Sequence, residues 1–335
     1  MTRVFVFGGA IGDALLGIQL GRVLKENGAE GLTLLSTRAN PFVRELVGTV
    51  PFVRYRELIK SNPFAWLAVL LLARTHADSV VYEPTSGPVP PWWRFVLAML
   101  RARGGTQVRY SMHGHERPAP TGAIARSYVC QEVNHFDAVE EVARAWSIEV
   151  TNHPKPSLPH PVNCAAPVSP YFLFHFFAGN YRRSYSVDKG RAALVRAREE
   201  YPGIRFLVSS AGHENEAALR MAEGITNVEF AQDLPAADLL CRIEHALVVV
   251  GVASGVTQLA AHLGRKSVVL CNLSDPCWLQ SYDPNSILLY DRTRCGCHGD
   301  KTGECVERTP EGEVYRCLYD ITADDIVRGI ATQYS

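Results

Sequence analysis

The chain has no excess of charge of either sign: 34 lysines and arginines stand against 34 aspartates and glutamates in 335 residues. Without a basic field nothing holds a polyanion non-specifically, so nucleic acid and an anionic membrane surface are both disfavoured as partners. Long apolar runs are missing as well. The longest, Phe64 to Ala73, is too short to span a bilayer and is followed by Arg74. With Trp92, Trp93 and the run Phe95 to Leu100 nearby, it forms either buried helices or a membrane-facing surface, which allows at most peripheral contact at an inner membrane. Gly8, Gly9, Gly12 and Asp13 interrupt the apolar start before a secretion signal develops, which predicts a cytoplasmic protein. Nine cysteines, an odd number in a chain without such a signal, speak against a disulfide framework. There is no short internal repeat and no low-complexity tract.

What is there is the composition of a globular protein, 47% hydrophobic and 20% charged, long enough for two domains. Short β-like runs alternate with helical patterns from the start: a strand over Arg3 to Phe7, a helix over Asp13 to Glu26, a strand over Leu32 to Ser36. Leu16, Leu20, Val23 and Leu24 form the buried stripe of that helix, and Gly17 and Gly21 let it approach a sheet. Further strands are expected at Ser79 to Tyr82 and Val108 to Tyr110. Between Thr151 and Pro170 the pattern stops and six prolines occur, at 154, 156, 159, 161, 167 and 170, as in a linker. Alternation then resumes with strand Tyr171 to Phe176, helix Val187 to Glu200, strand Arg205 to Ser209, helix Glu214 to Ala222 and strand Asn227 to Phe230. The expected organisation is an α/β domain over 1–150, a linker over 151–170 and a second α/β domain over 171–335, with strand-to-loop junctions facing a shared cleft.

Two strand-turn-helix segments could carry chemistry. Val248 to Val250 is an apolar strand, followed by the small-residue turn Gly251-Val252-Ala253-Ser254-Gly255. A helix begins near Ser254, with Val256, Leu259, Ala260 and Leu263 at helical spacing, and Ser267 to Cys271 is the next strand. The first amides of a helix lack partners and its dipole favours an anion, so a phosphate suits this turn; the same small residues equally suit tight helix-sheet packing. The N-terminal segment Phe7-Gly8-Gly9-Ala10-Ile11-Gly12-Asp13 is a poor dinucleotide fingerprint, because its glycine spacing departs from the pattern and Ser36-Thr37-Arg38 stands where an acidic residue is needed. Asp13 is either a helix cap or a general base.

Taken in order along the chain, these motifs resemble glycosyltransferase family 9, the bacterial heptosyltransferase family. Gly12-Asp13-Ala14-Leu15-Leu16 resembles its N-terminal motif. Ser254-Gly255-Val256-Thr257-Gln258-Leu259-Ala260 resembles its donor-binding loop and helix, and Cys317-Leu318-Tyr319-Asp320-Ile321 its tail. The resemblance implies a GT-B fold of two Rossmann-like domains, the first for the acceptor and the second for a nucleotide-diphosphate sugar, with an ADP-sugar favoured. It implies inverting transfer without a catalytic metal, Asp13 as base, and a donor diphosphate on Ser254, Gly255, Val256, Thr257 and Gln258. The acceptor it implies is a glycan or lipid-linked hydroxyl, as on lipopolysaccharide core; a protein or secondary metabolite stays open, as does oligomeric state. Arg182 and Arg183, in the loop Ala178 to Tyr185, are candidates to neutralise the leaving diphosphate; a solvated basic loop is the plain alternative. Two departures stand out: Ala253 replaces the family's aspartate and Gln258 its histidine, which implies either an altered donor sugar or a binding protein without transfer.

The tail adds Cys295-Gly296-Cys297-His298, Cys305 after seven residues and Cys317 after eleven more. These thiolates either surround a structural zinc or iron or remain reduced and unliganded. Some family members that modify autotransporters carry an iron finger near this place. His113 and His115 either line an acceptor pocket or sit in a surface loop. His175 either faces a cleft or is buried with a backbone hydrogen bond. Asp275 either orients a donor or caps a turn. Cys130, Cys164, Cys241, Cys271 and Cys277 read as scattered thiols with no assigned chemistry.

Overall fold

The run Arg3-Val4-Phe5-Val6-Phe7 is built for a strand covered on both faces. It forms β1 (Arg3–Phe7), and the chain then turns at Gly9, whose φ of +90° is a region that favours glycine, into α1 (Ile11–Glu26). The computed structural model describes residues 3–7, 9–29, 31–36, 38–57, 79–82, 107–111, 123–127, 135–161, 164–165, 167–272, 284–290 and 305–335. Phe64 to Ala73, Trp92 to Leu100, His113, His115, Cys130, Asp275, Cys277, Cys295 and Cys297 lie outside the described residues. The chain divides into two units, Met1–Pro156 and Ser157–Ser335.

In the first unit β2 (Leu32–Ser36), α2 (Pro41–Gly48), β3 (Val53–Glu57), β4 (Ser79–Tyr82), β5 (Gln107–Ser111), β6 (Ala123–Ser127) and α3 (His135–Ala145) follow α1. The sheet runs β3-β2-β1-β4-β5-β6 and every pairing is parallel. α1 packs closely because it carries glycines where the sheet is nearest: a Cβ on Gly17 would stand 2.5 Å from Leu34 Cδ2, and one on Gly21 2.6 Å from Val53 Cγ2.

The second unit repeats the plan. It contains β7 (Tyr171–His175), a 3-10 turn (Tyr181–Arg183), α4 (Val187–Glu200), β8 (Arg205–Ser210), α5 (Asn215–Ala222), β9 (Val228–Gln232), α6 (Ala236–His245), β10 (Val248–Val252) and α7 (Gly255–His262). β11 (Ser267–Leu270), β12 (Ser286–Leu289), the hairpin β13 (Val306–Thr309) and β14 (Gly312–Tyr315), α8 (Arg316–Tyr319) and α9 (Ala323–Tyr334) complete it. Its sheet order, β12-β11-β10-β7-β8-β9, is again all parallel. Counted from each unit's own first strand, both sheets read 3-2-1-4-5-6, the doubly wound nucleotide-binding order. Phe172, Phe174, Phe206, Val208, Val248 and Val250 are fully buried in the second core, and α9 adds Ile326 and Ile330 to it.

The proline-rich stretch expected as a linker is held on each side by its own unit. Asn27 Oδ1, at the end of α1, accepts the amides of Thr151 (2.8 Å) and Asn152 (2.9 Å), and Gln19 Nε2 donates to the Pro154 carbonyl at 2.6 Å. From Leu158 onward the segment belongs to the second unit: the Leu158 amide donates to the His262 carbonyl at 2.8 Å, and His160 Nδ1 lies 3.1 Å from Glu244. A disulfide joins Cys164 to Cys241, 77 residues apart, so these two are not the scattered thiols expected; only the fold brings their Cα atoms to 5.5 Å. Among the described residues no helix is long and apolar enough to cross a membrane.

Candidate functional site

A doubly wound sheet opens a crevice where the strand order reverses, because the loops leaving two neighbouring strands there depart in opposite directions. In the second unit that point lies between β7 and β10. The residues singled out for donor binding fall on the two loops that leave these strands.

The loop after β10 is shaped from inside. Gly251 pairs with His175 of β7, and a Cβ at Gly251 would stand 2.2 Å from the His175 carbonyl oxygen. Gly251 therefore serves the packing of β10 on β7. Ser254 is the extended N-cap of α7, and the first donor inside the helix is the Gln258 amide, which reaches the Ser254 carbonyl at 3.1 Å. The amides of Gly255, Val256 and Thr257 thus have no acceptor within the helix. The Thr257 hydroxyl is fully buried: it accepts the Ser254 amide at 3.0 Å and lies 3.1 Å from the carbonyls of Val252 and Ser254. Its side chain holds the loop, so what Thr257 can offer a ligand is its amide. Ser254 Oγ and Gln258 Oε1 are buried with no hydrogen-bond partner among the described residues. Two polar atoms without partners beside three orphan amides suit an oxygen-rich ligand.

The loop after β7 carries the arginines. The Ser184 hydroxyl accepts the Ala178 amide at 3.0 Å, the Tyr185 amide donates to the Phe176 carbonyl at 2.8 Å, and Asn180 Oδ1 accepts the Arg182 amide at 3.2 Å. Tyr185 is buried and its hydroxyl donates to the Ile321 carbonyl at 2.6 Å; burial pushes this phenol well above the ordinary tyrosine range. Successive residues of a 3-10 turn point about 120° apart, which separates the two arginines. Arg183 Nη2 donates to the Ala253 carbonyl at 3.1 Å, across the switch point and next to the start of α7. Arg182 turns away to Glu313 of β14, with a 2.6 Å ion pair. Behind it, Tyr181 packs on Gly312, where a Cβ would stand 3.0 Å from the ring.

His175, the last residue of β7, does not add charge to the site. It is buried, and its Nδ1 lies 3.0 Å from the Ser209 carbonyl, which can only accept, so the proton sits on Nδ1. Burial is the larger influence and lowers its pKa to about 4, against the raising effect of the hydrogen bonds to the Ser209 and Phe177 backbones. Of its two expected roles, burial with a backbone hydrogen bond is the one found.

Asp13 stands just beyond the equivalent loop of the first unit, the one that leaves β1. α1 begins at Ile11, two residues earlier than expected, and its N-cap is Ala10 with no side-chain cap bond. Asp13 is therefore not the cap. It is the third helical residue, 5% exposed, where its carboxylate suits the helix dipole. Of the tail cysteines, Cys305 and Cys317 lie on neighbouring backbones, since the Arg316 amide donates to the Cys305 carbonyl at 3.2 Å.

Of the supports of the arginine loop, Glu313 and Gly312 escaped the sequence reading, and Ile321 was named only as part of a tail motif. Pro310-Glu311-Gly312 is a turn signal that marks the hairpin, but nothing local ties it to a loop some 130 residues earlier.

No protein-family model matches the chain, and no curated protein matches it by sequence. Solved structures do match. The ADP-heptose lipopolysaccharide heptosyltransferase II of E. coli is similar with a TM-score of 0.70 at 12% identity, over 100% of this chain and 98% of that one. A family 9 glycosyl transferase from Veillonella parvula gives 0.69 at 13% identity, over 99% and 97%. The E. coli heptosyltransferase WaaC with ADP gives 0.68 at 15% identity, over 99% and 100%. The chain has the GT-B type of α/β fold that these proteins share.

Proposed function

We propose that this protein is a glycosyltransferase of the family 9 type, moving a sugar from a nucleotide diphosphate to an acceptor hydroxyl. One observation supports the reading most: the 3.1 Å bond from Arg183 to the Ala253 carbonyl, which sets a guanidinium beside the orphan amides of α7 at a sheet switch point. A pyrophosphate suits that combination, because guanidinium and helix start both stabilise charge as it builds on the leaving oxygen. The site supplies this positive field from the protein's own groups, so the transfer we propose needs no catalytic metal. Asp13 is the general base that takes the proton from the acceptor hydroxyl as it attacks the anomeric carbon, with inversion. Arg183 rather than Arg182 neutralises the diphosphate, and Ser254, Gly255, Val256, Thr257 and Gln258 hold it, Thr257 through its amide.

The likeness to an E. coli heptosyltransferase solved with ADP favours an ADP-sugar as donor. A glycan or lipid-linked acceptor of the lipopolysaccharide core kind is the acceptor we propose, supported by the likeness to a lipopolysaccharide heptosyltransferase. Ala253, buried at 2% exposure, has no carboxylate for donor-sugar hydroxyls, which favours a donor other than heptose. It also supports a second reading, a nucleotide-sugar binder without transfer.

The test is calorimetry with ADP, UDP, GDP and their sugars, followed by transfer assays with the Asp13→Asn variant. The proposal expects selective binding of one nucleoside diphosphate, turnover by the wild type, and a variant that binds nucleotide equally but loses at least about a hundredfold in turnover. Binding without turnover for any acceptor selects the second reading. Unchanged turnover in Asp13→Asn refutes the base, and no binding across the panel refutes both readings.

A further inference from the structure

Away from the switch point, the second unit gathers three metal-ligating side chains. Cys241 and His245 stand four residues apart on α6, so they share one face of the helix, and Cys164 reaches them from the proline-rich segment. Both sulfurs and a ring nitrogen of His245 lie within 4.8 Å of one another, and all three residues are partly open to solvent. His245 Nε2 is itself buried and has no hydrogen-bond partner among the described residues.

We propose that Cys164, Cys241 and His245 form a redox-gated site for a soft divalent cation of the zinc class, separate from the donor site and from the tail cysteines. In a tetrahedral zinc site, with metal to ligand bonds of about 2.3 Å to sulfur and 2.0–2.1 Å to nitrogen, ligand atoms stand about 3.5–3.8 Å apart. The bonded sulfurs must part to reach that figure and the ring nitrogen must close by at most about 1.3 Å, and rotation of the side chains supplies both movements once the sulfurs are no longer bonded. Oxidised, the pair is the disulfide and binds no metal, because a disulfide sulfur has no thiolate to offer. A dithiol reductant opens it: two electrons pass to the Cys164 and Cys241 sulfurs, two protons end on them, and the reductant leaves as its own cyclic disulfide. A zinc ion then displaces the two protons and takes both thiolates and the neutral imidazole, leaving a fourth position for water. Either state ties the proline-rich segment to α6, so the switch exchanges one staple for another.

The experiment uses the full chain, stripped of metal with a chelator and handled without oxygen. Protein reduced with a phosphine is titrated with zinc and alkylated with iodoacetamide, and each cysteine-bearing peptide is followed by mass spectrometry, which keeps tail cysteines from being mistaken for this site. Zinc is expected to slow alkylation of Cys164 and Cys241 together by at least about tenfold. The His245→Ala variant should need at least about ten times more zinc for the same protection, since even residues behind a ligand cost that much when lost. Without the phosphine, neither cysteine should alkylate, with or without zinc. Equal alkylation with and without zinc after reduction overturns the proposal, as does protection unchanged in His245→Ala. Neither readout involves nucleotide or transfer, so the proposed function can fail without touching this result.

Discussion

The contact between Gly251 and the His175 carbonyl allows a stability change to be worked out before it is measured. In the variant Gly251→Ala the new Cβ would stand 2.2 Å from a backbone oxygen. An ordinary carbon to oxygen contact is about 3.3 Å, so β7 and β10 must part by roughly 1 Å at this register. Ladder bonds of about 2.9 Å stretched that far are no longer hydrogen bonds, and each costs about 1 kcal/mol net. Overpacking a well-filled interior adds about 1–3 kcal/mol. The sum is roughly 2–5 kcal/mol, or about 5–15 °C in the melting temperature of a unit this size. Gly179 provides the control: it lies on the loop after β7, no described atom beyond its chain neighbours stands within 4 Å of where its Cβ would be, and Gly179→Ala should change stability by less than about 0.5 kcal/mol. Scanning calorimetry and urea unfolding of both variants make the comparison. If Gly251→Ala melts as the control does, the strands have slack that the contact denies, and the account of why glycine stands there is wrong.

The arginines should separate in a nucleotide titration. Arg183→Ala is expected to weaken nucleoside diphosphate binding by roughly 10- to 150-fold, the worth of a hydrogen bond to a charged group, while Arg182→Ala changes it less than about threefold; equal losses would return both to a diffuse basic loop. His175 gives a pH dependence of definite sign. Its folded pKa of about 4 lies below the ordinary 6.5, so the unfolded chain takes up the proton first, and the stability it contributes is present above pH 6.5 and lost as pH falls through 4. Between pH 7 and pH 5 this amounts to about 2 kcal/mol in urea unfolding, and His175→Gln should flatten the slope by that amount.

Strands covered on both faces were legible nearly to the residue. β1, β2 and β7 are unbroken apolar or β-branched runs bounded by glycine or polar turns, and such runs have few other ways to bury themselves. The edge strand β9 was expected over Asn227 to Phe230 and runs Val228–Gln232, because Asn227, with φ of +65°, belongs to the turn before it. β3 was missed although Val53-Arg54-Tyr55-Arg56-Glu57 alternates in burial as a half-covered edge strand does. Which strands neighbour each other depends on crossovers tens of residues long, so the shared 3-2-1-4-5-6 order had to come from the structure. The candidate site divides the same way. The turn and helix start around Ser254 to Gln258 were legible from local spacing, while their reading as a donor site came from the family resemblance. The difference between Arg182 and Arg183 was not legible, since it is set by Ala253 and Glu313, far along the chain. Cys164 and Cys241 lacked a local signal for the same reason, although Cys241 and His245 carry the spacing of a helical ligand pair.

The arginine loop leans on the last part of the chain: Arg182 on Glu313, Tyr181 on Gly312, Tyr185 on Ile321. Chains are synthesised from the N-terminus at roughly 5–20 residues per second, so β7, β10 and α7 emerge several seconds before the residues that fix Arg183 beside them. Until they emerge, the arginine loop lacks its supports and the second core lacks Ile326 and Ile330 of α9. A message cut short before the hairpin would also lose α9, whose Ile326 and Ile330 complete the second core, so the core and the supports of the arginine loop are finished together.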